Sequence, residues 1–342
     1  MKKVKMAIIG AGIWGESHAS IYQEHPNVET VAVCDLDSAR AHALAQKFKI
    51  PSVYTDYNKM LAECSFDSVA IVTPDFLHRD IAVACANAGK HMLIEKPLAT
   101  AKQDVYDMVE AIRHNGVRVM VDLHNRWSPP FNSAKQMIDS KELGEPINAY
   151  FRLNDTVYVP TKMLPWAAKS SILWFLGSHS LDTLRWLMNG EIEEIYAVKH
   201  EGKLKSLGVD TADIYQSTLK FTNGAIAQME NGWITPDGNP CINDIKCNIV
   251  LEKGKIDIDA SNHAMVQVTS EKRMDTVDVL VKNNVFGKCK GFAYESIRSF
   301  VDCLISDTEF HVTLKDSANT SLALLAIMES AEKGIPVKPE RI

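Results

Sequence analysis

The sequence predicts an α/β protein in which an N-terminal doubly wound parallel sheet precedes a C-terminal α+β domain with a large open, mostly antiparallel sheet. Three observations lead to this prediction. The short apolar run Met6–Ile9 runs directly into a glycine-rich turn. Strand-like and helix-like segments then alternate as far as residue 122. Beyond that point the pattern changes to long strand-like runs joined by hairpin turn signals.

Length and composition indicate a globular chain of two domains. A chain of 342 residues is longer than most single domains, so we predict two. The change of pattern places them at residues 1–122 and 123–342. Apolar residues make up 46% and charged residues 23%, which is ordinary for a globular protein. The formal net charge is -6 and no basic cluster stands out, so we predict no nucleic-acid partner and no membrane partner.

Cysteine usage and the N-terminus favour a cytoplasmic protein. The seven cysteines include no C-x-x-C pair, which is typical of reduced thiols. Cys241, Cys247 and Cys289 could supply thiol ligands to a metal ion, but they lack a recognised metal-binding spacing. The sequence therefore predicts no metal. The N-terminal apolar run is short and interrupted by glycine, unlike a signal peptide. No apolar run reaches the roughly 20 residues of a membrane span.

The glycine-rich turn Gly10–Gly15 has the spacing G-x-G-x-x-G. Gly10 allows a tight turn, Gly12 removes the Cβ that would block a pyrophosphate, and Gly15 allows close helix–strand packing. The helix that follows starts with Ile13 and Trp14, and its first amide groups would face the phosphates of a bound dinucleotide. The turn therefore predicts a dinucleotide-binding Rossmann domain.

An acidic residue lies at the distance that this motif requires. Asp35 ends the second strand, twenty residues after Gly15, and would accept hydrogen bonds from the adenosine ribose hydroxyls. Its charge would repel a 2′-phosphate, so NAD is favoured over NADP. Arg40 follows closely and could weaken that preference.

Periodicity and capping signals predict the remaining elements. In the first domain we expect six strands with intervening helices, including strands Glu29–Cys34, Ser68–Val72, His91–Ile94 and Val117–Val121, with Ser38 and Asp56 as helix N-caps. In the second domain we expect a long strand at Ile147–Val159, a helix at Ile172–Met188, and further strands that include Met265–Thr269. An open sheet of this size exposes one face, so we predict a homodimer or homotetramer through the C-terminal sheet.

Two segments carry residue types suited to chemistry. Glu95-Lys96-Pro97 follows a parallel strand, and ligands bind at the carboxyl ends of such strands. His179 and Asp182 are three residues apart on one predicted helix, so they share a face. On periodicity alone, His179 is better explained by a core position than by catalysis.

Taken in order, these motifs resemble those of the Gfo/Idh/MocA oxidoreductase family, which includes glucose–fructose oxidoreductase and inositol dehydrogenase. The resemblance covers essentially the whole chain and rests on the glycine turn, Thr73-Pro74 with His78, Glu95-Lys96-Pro97, Arg126 and Gly177-x-His179-x-x-Asp182. It implies NAD(P)-linked oxidation or reduction of a sugar, polyol or related carbonyl compound.

The resemblance also implies roles for matching positions. Lys96 matches the family's active-site lysine, and His179 matches its histidine beside the reacting hydroxyl. Other matches, along the cofactor, at the domain junction and before the catalytic helix, are Thr73, Pro74, His78, Glu95, His124, Arg126 and Trp166. We also expect Arg152, Asn154 and Tyr158, which alternate along the long strand, to line the substrate pocket. The other residues expected to bind substrate are Arg126, Trp166 and Asp182.

One position departs from the family pattern. Many members carry an aspartate four residues before the histidine, where this chain has Phe175, and the preceding glycines are replaced by Ser170-Ser171. The departure bears on the proton path and on the substrate, whereas hydride transfer belongs to the cofactor.

The expected mechanism is that of an NAD-dependent dehydrogenase. His179 accepts the hydroxyl proton, the Lys96 ammonium stabilises the developing alkoxide, and Asp182 orients His179 or lies at its flank. Two alternatives stay open: a glycosidase or lyase that uses NAD transiently, and an NAD-binding sensor without catalysis.

Overall fold

The computed structural model describes residues 3–261, 266–271 and 274–342. The described strands, in chain order, are β1 (Val4–Ile9), β2 (Val28–Cys34), β3 (Ser52–Tyr54), β4 (Ser68–Ile71), β5 (His91–Ile94), β6 (Val119–Val121), β7 (Pro146–Thr156), β8 (Ile192–His200), β9 (Ile214–Phe221), β10 (Ile226–Thr235), β11 (Asn243–Leu251), β12 (Gly254–Asp259), β13 (Gln267–Thr269), β14 (Met274–Thr276), β15 (Asn283–Val285) and β16 (Lys288–Lys290). The described α-helices are α1 (Ile13–Glu24), α2 (Ser38–Phe48), α3 (Tyr57–Glu63), α4 (His78–Asn87), α5 (Lys102–Asn115), α6 (Pro129–Asp139), α7 (Ser178–Leu187), α8 (Lys203–Ser206), α9 (Phe292–Ser306) and α10 (Leu314–Lys333).

The chain forms two compact units, each assembled from two segments. The first contains Met1–His124 and Val281–Ala318, and the second contains Asn125–Leu280 and Asn319–Ile342. The predicted boundary after residue 122 lies two residues before the end of the first segment. Residues 281–318, which the sequence analysis assigned to the second domain, belong to the first unit.

The first unit contains a six-stranded parallel sheet in the order β3-β2-β1-β4-β5-β6. This is the predicted doubly wound sheet, and its strand order reverses between β1 and β4, where such sheets bind ligands. β1, β4 and β5 are almost wholly buried, which explains their near-continuous apolar sequences. The short strand β3, which the sequence analysis did not locate, completes the six.

Capping agrees with one prediction and corrects another. The Asp56 side chain accepts the Asn58 amide at the start of α3, as predicted. At α2 the cap is Asp37, which accepts the amides of Ala39 and Arg40, so Ser38 is the first helical residue and not the cap. Aspartate and serine are both good N-caps, and the sequence alone did not distinguish them.

The second unit contains a six-stranded sheet in the order β12-β11-β7-β10-β9-β8. Only the β7–β10 pairing is parallel; the others are antiparallel, so the sheet is mixed and largely antiparallel, as predicted. One face carries the core with α6, α7 and α10. The other face exposes Tyr196, Val198, Ile226 and Val250. The homodimer or homotetramer remains a prediction, which a solution mass measurement would test.

Two second-unit elements differ from their predicted form. β7 ends at Thr156 and a π-helical turn follows over Val159–Met163, so the strand is shorter than Ile147–Val159. A π-helical turn over Leu173–Gly177 precedes α7, where one continuous helix was predicted. The predicted strand Met265–Thr269 corresponds to β13, and Met265 itself lies outside the described residues.

Among the described helices, none combines the length and the apolar character needed to cross a lipid bilayer.

Candidate active site

The glycine turn between β1 and α1 has the geometry that close approach of a ligand requires. Gly10 has a φ of +109°, and a Cβ there would lie 2.4 Å from the Val72 carbonyl oxygen. A Cβ on Gly15 would lie 2.1 Å from the Gly10 carbonyl oxygen. A Cβ on Gly12 would meet no atom of the chain within 4 Å. The chain itself therefore explains two of the glycines, while the third keeps space open at the start of α1.

This contrast predicts different outcomes for two alanine substitutions. Gly12→Ala is expected to cost at most about 1 kcal/mol of folding free energy, because its Cβ is uncrowded and only the N-cap preference changes. The same Cβ would occupy the pyrophosphate path and weaken NADH binding by more than about 10-fold. Gly15→Ala is expected to impair folding through its backbone clash. Thermal unfolding and NADH fluorescence titration would measure both effects, and unchanged NADH affinity in Gly12→Ala would contradict the assignment.

Asp35, just after β2, is hydrogen-bonded to the glycine turn. Its Oδ2 accepts the Ala11 amide at 2.7 Å, and its Oδ1 accepts the Asp37 amide at 2.8 Å. The carboxylate is therefore held beside the turn, where ribose hydroxyls are predicted to bind. Arg40 is exposed, and its Nε lies 3.4 Å from Asp37.

The loops after β4 and β5 are joined through His78. Its Nδ1 lies 2.8 Å from the Pro97 carbonyl oxygen, and its Nε2 lies 3.1 Å from the Thr73 carbonyl oxygen. Because His78 is fully buried, we correct its predicted direct cofactor contact to a role in positioning these loops. Lys96 directly precedes Pro97 and is partly exposed. Thr73 Oγ1 is buried and has no hydrogen-bond partner within the described ranges, so it could bond to a cofactor.

Trp14 and His124 stack on each other at the end of β6. Their ring centroids lie 5.6 Å apart with an angle of 27° between the planes. The Lys282 ammonium lies 4.6 Å from the Trp14 ring centroid, and Phe292 lies 5.5 Å from the His124 ring. The segment 281–318 thus helps to hold two residues that were predicted to bind the cofactor.

A buried polar cluster lies beneath Glu95. His18 Nε2 is 3.2 Å from Glu95 Oε1, and His18 Nδ1 is 3.1 Å from the Tyr22 hydroxyl. Burial, followed by the charges of Asp122 and Glu95, raises the pKa of Tyr22 well above its ordinary value, so its hydroxyl stays protonated. His18, Glu95 and Asp122 also offer three atoms within 4.8 Å of one another, a spacing that could hold a metal ion.

In the second unit, α7 carries His179 and Asp182. His179 is buried, with 5% of its surface exposed, and its carbonyl oxygen accepts the Thr183 hydroxyl at 2.6 Å. Asp182 is fully buried and binds Arg126 in a bidentate manner, with Nε–Oδ2 2.9 Å and Nη2–Oδ1 2.6 Å. Both Asp182 oxygens are thus engaged by Arg126, so we correct the expectation that Asp182 orients His179. Two residues predicted to bind substrate thus form a buried ion pair with each other.

An aromatic cluster takes the place of the family's aspartate. Phe175 lies four residues before His179, and its ring centroid is 5.7 Å from that of Trp233 and 6.4 Å from that of Trp166. Trp233 is fully buried, and its Nε1 has no hydrogen-bond partner in the described part of the chain. The cluster presents apolar surface where a carboxylate could have shared a proton.

Three residues that were predicted to line the substrate pocket lie on or just after β7. Arg152 and Asn154 alternate with the core residue Leu153, so their side chains project from the face opposite α7. Arg152 pairs with Asp244 at 2.8 Å, and Asn154 donates to Glu230 at 2.7 Å. Tyr158 follows the end of β7 and is exposed. Their part in a substrate pocket stays a prediction, because alternation along a strand shows that they share a face but not what that face binds.

The sequence analysis missed several residues that contact the predicted site residues or lie in the same clusters. They are His18, Asp122, Lys282, Phe292, Ser296 and Trp233. His18, three residues after Gly15, was detectable as a histidine on the buried face of α1. Lys282, Phe292 and Ser296 lie more than 150 residues from the rest of the first unit, and no local pattern marked them.

The first unit has the features that a dinucleotide needs. The start of α1 has no side-chain cap, so its first amides can bind phosphate. The open space at Gly12 suits a pyrophosphate and the Asp35 carboxylate suits a ribose, while the buried Thr73 hydroxyl is a further group able to bond to the cofactor. The residues therefore fit NAD.

Fold and site together define a dinucleotide-binding oxidoreductase. Residues 4–123 match the model of the Gfo/Idh/MocA oxidoreductase family, NAD-binding Rossmann fold, and residues 131–257 match the C-terminal domain model of the same family. The chain belongs to the Gfo/Idh/MocA family.

Relatives and solved structures agree with this assignment. The chain is 25% identical to the uncharacterized oxidoreductase YrbE of Bacillus subtilis, over 99% of this chain and 97% of YrbE. It is 28% identical to inositol 2-dehydrogenase of Salmonella paratyphi B, over 80% of this chain and 79% of that protein. The crystal structure of scyllo-inositol dehydrogenase from Lactobacillus casei, with bound NAD(H) and scyllo-inositol, matches with a TM-score of 0.83 at 18% identity, over 98% of this chain and 99% of that one.

Proposed function

We propose that the protein is an NAD-dependent dehydrogenase acting on a hydroxyl-bearing carbon of an inositol, a sugar or a related polyol. The observation that carries the proposal is the first-unit arrangement of an open glycine turn, an acidic β2 end and a lysine at the β5 end. These are the groups needed to bind NAD and to stabilise a developing alkoxide.

Each catalytic role follows from side-chain chemistry. NAD, when bound, supplies the hydride acceptor. Histidine accepts a proton near neutral pH, so His179 takes the hydroxyl proton during oxidation and returns it during reduction. Lys96 directs a positive charge at the hydroxyl oxygen, which stabilises the alkoxide as the proton leaves.

Two observations support a cyclic polyol as substrate. The relative from Salmonella paratyphi B is named as an inositol 2-dehydrogenase, and the matching structure from Lactobacillus casei contains scyllo-inositol. Trp166 and Phe175, which are partly exposed and pack on the buried Trp233, provide apolar surface suited to the C–H face of a ring.

The test follows NADH formation by its absorbance. Purified protein would be mixed with NAD and a panel of inositols, free sugars, glycosides and sugar acids, with Lys96→Ala in parallel. We expect a rise with at least one cyclic polyol and its loss in the variant. NADH binding without turnover would contradict the proposal and favour the sensor; glycoside cleavage without net NADH would favour transient use of NAD.

Asp35 is expected to determine cofactor preference. Asp35→Ser should weaken NADH binding by about 10- to 100-fold, because charge-assisted hydrogen bonds to the ribose are lost. The same change should reduce discrimination against NADPH, since it removes repulsion of the 2′-phosphate. Dissociation constants for both cofactors would be measured, with Arg40→Ala as the control for the neighbouring charge. An unchanged NADH:NADPH ratio in Asp35→Ser would show that another residue sets the preference.

A further inference from the structure

Asp122 is a buried carboxylate to which the proposed mechanism assigns no role. It follows β6, and none of its surface is exposed. Its Oδ1 accepts the buried Ser296 hydroxyl at 2.6 Å. Its Oδ2 lies 3.7 Å from His124 Nδ1 and has no hydrogen-bond partner in the residues that the structure describes. Ser296 therefore fixes one oxygen, and the other is left near the His124 ring.

The hydrogen bonds of His18 involve the other members of the cluster. In its neutral form, His18 donates from Nε2 to the Glu95 carboxylate and accepts the Tyr22 hydroxyl proton at Nδ1. That bonding leaves the His124 imidazole as the group able to offer a proton to Asp122.

The His124 ring is held on its faces as well as at its edge. Trp14 stacks on it, Phe292 packs at 5.5 Å, and Lys282 lies over the far side of Trp14. With the ring plane fixed by these contacts and Nδ1 near Asp122, Nε2 is on the edge away from the carboxylate.

We propose that Asp122 is a positioning residue that keeps a proton on His124 Nδ1 and thereby makes Nε2 the acceptor nitrogen of the neutral ring, toward the nicotinamide end of NAD. A carboxylate has acceptor oxygens and no proton to donate, so it favours an N–H group over a lone pair at the nitrogen that faces it. Carboxylates fix histidine tautomers in this way at other functional sites. The part of the proposal that concerns NAD rests on the proposed function; the tautomer does not.

The decisive measurement is the protonation pattern of His124. Long-range ¹H–¹⁵N NMR of the full-length protein labelled at histidine would be recorded, with His124→Gln to assign the signal. We expect a protonated Nδ1 in the wild-type protein. In Asp122→Asn the amide can donate toward Nδ1, so the neutral Nε2–H tautomer should replace it. A wild-type spectrum with the proton on Nε2 alone overturns the proposal, whether or not the variant folds.

Cofactor binding is measured separately by NADH fluorescence titration. Asp122→Asn and His124→Gln are each expected to weaken NADH binding by about 10-fold, as for one lost hydrogen bond. Asp213→Asn is the matched control, since Asp213 is also fully buried and lies 2.8 Å from a histidine, His200. It should leave the His124 signal and NADH affinity unchanged even if the melting temperature falls.

The outcomes separate the two proposals. Failure of the wild-type protein to bind NADH rejects the proposed function and leaves the tautomer result intact. Normal NADH affinity in Asp122→Asn, despite a tautomer change, rejects the link to NAD. Elemental analysis addresses a cation at His18, Glu95 and Asp122: a stoichiometric metal that is lost in Asp122→Asn overturns the proposal, and its absence supports the proton on His124.

Discussion

Replacing His179 with alanine is expected to lower kcat by about 10²- to 10⁴-fold on any substrate that the wild-type protein oxidises, the usual contribution of a general base. The proton of the substrate hydroxyl would then have no acceptor at that position. NADH binding should change little, because the predicted cofactor-binding residues belong to the first unit. Steady-state rates with the substrate found in the absorbance panel would measure the effect.

Two further variants separate proton transfer from packing. His179→Gln keeps most of the side-chain volume and can form hydrogen bonds, but it cannot carry a proton at neutral pH, so it should be nearly as slow as His179→Ala. His114→Ala removes an exposed histidine at the end of α5 and should retain wild-type rates. If His179→Gln retained wild-type kcat, His179 would be a core residue and another group would be the base.

The nucleotide-binding part of the fold could be predicted because its signals are local. The strand, glycine turn, helix and acid occupy some thirty consecutive residues, and the steric demands at Gly10 and Gly15 explain two of the glycines directly. The Asp56 cap is local in the same sense, since its partner amide lies two residues away. Such features depend on backbone geometry that a few neighbouring residues determine.

The misassigned features depend on packing between distant segments. α9 lies in the first unit, where Arg298 bonds with Glu24 at 3.2 Å, a contact between residues 274 positions apart. The apolar periodicity of a helix such as α9 is local and cannot show which sheet the helix accompanies. The face on which Arg152 and Asn154 lie could not be predicted for a related reason, because alternation divides a strand into two faces without saying which one packs on α7.

Loss of Arg126 is expected to be strongly destabilising. Arg126→Ala should lower the free energy of unfolding by about 3–5 kcal/mol, because the fully buried Asp182 carboxylate would lose its bidentate partner. That loss is a large part of the 5–15 kcal/mol typical of a folded domain. Some packing would be lost as well, since the guanidinium carbon lies 5.8 Å from the Trp186 ring centroid. Denaturant unfolding followed by tryptophan fluorescence would measure the change.

Removing both charges distinguishes an electrostatic cause from lost volume. The double variant Arg126→Met, Asp182→Leu leaves no buried charge, so it should recover much of the stability lost in Arg126→Ala. The resemblance to the family assigned Arg126 to substrate binding, which predicts a raised KM in a protein of normal stability. The ion pair predicts lowered stability in Arg126→Ala and partial recovery in the double variant. A wild-type unfolding midpoint in Arg126→Ala would favour the substrate role, because a carboxylate left buried without its partner cannot be energetically neutral.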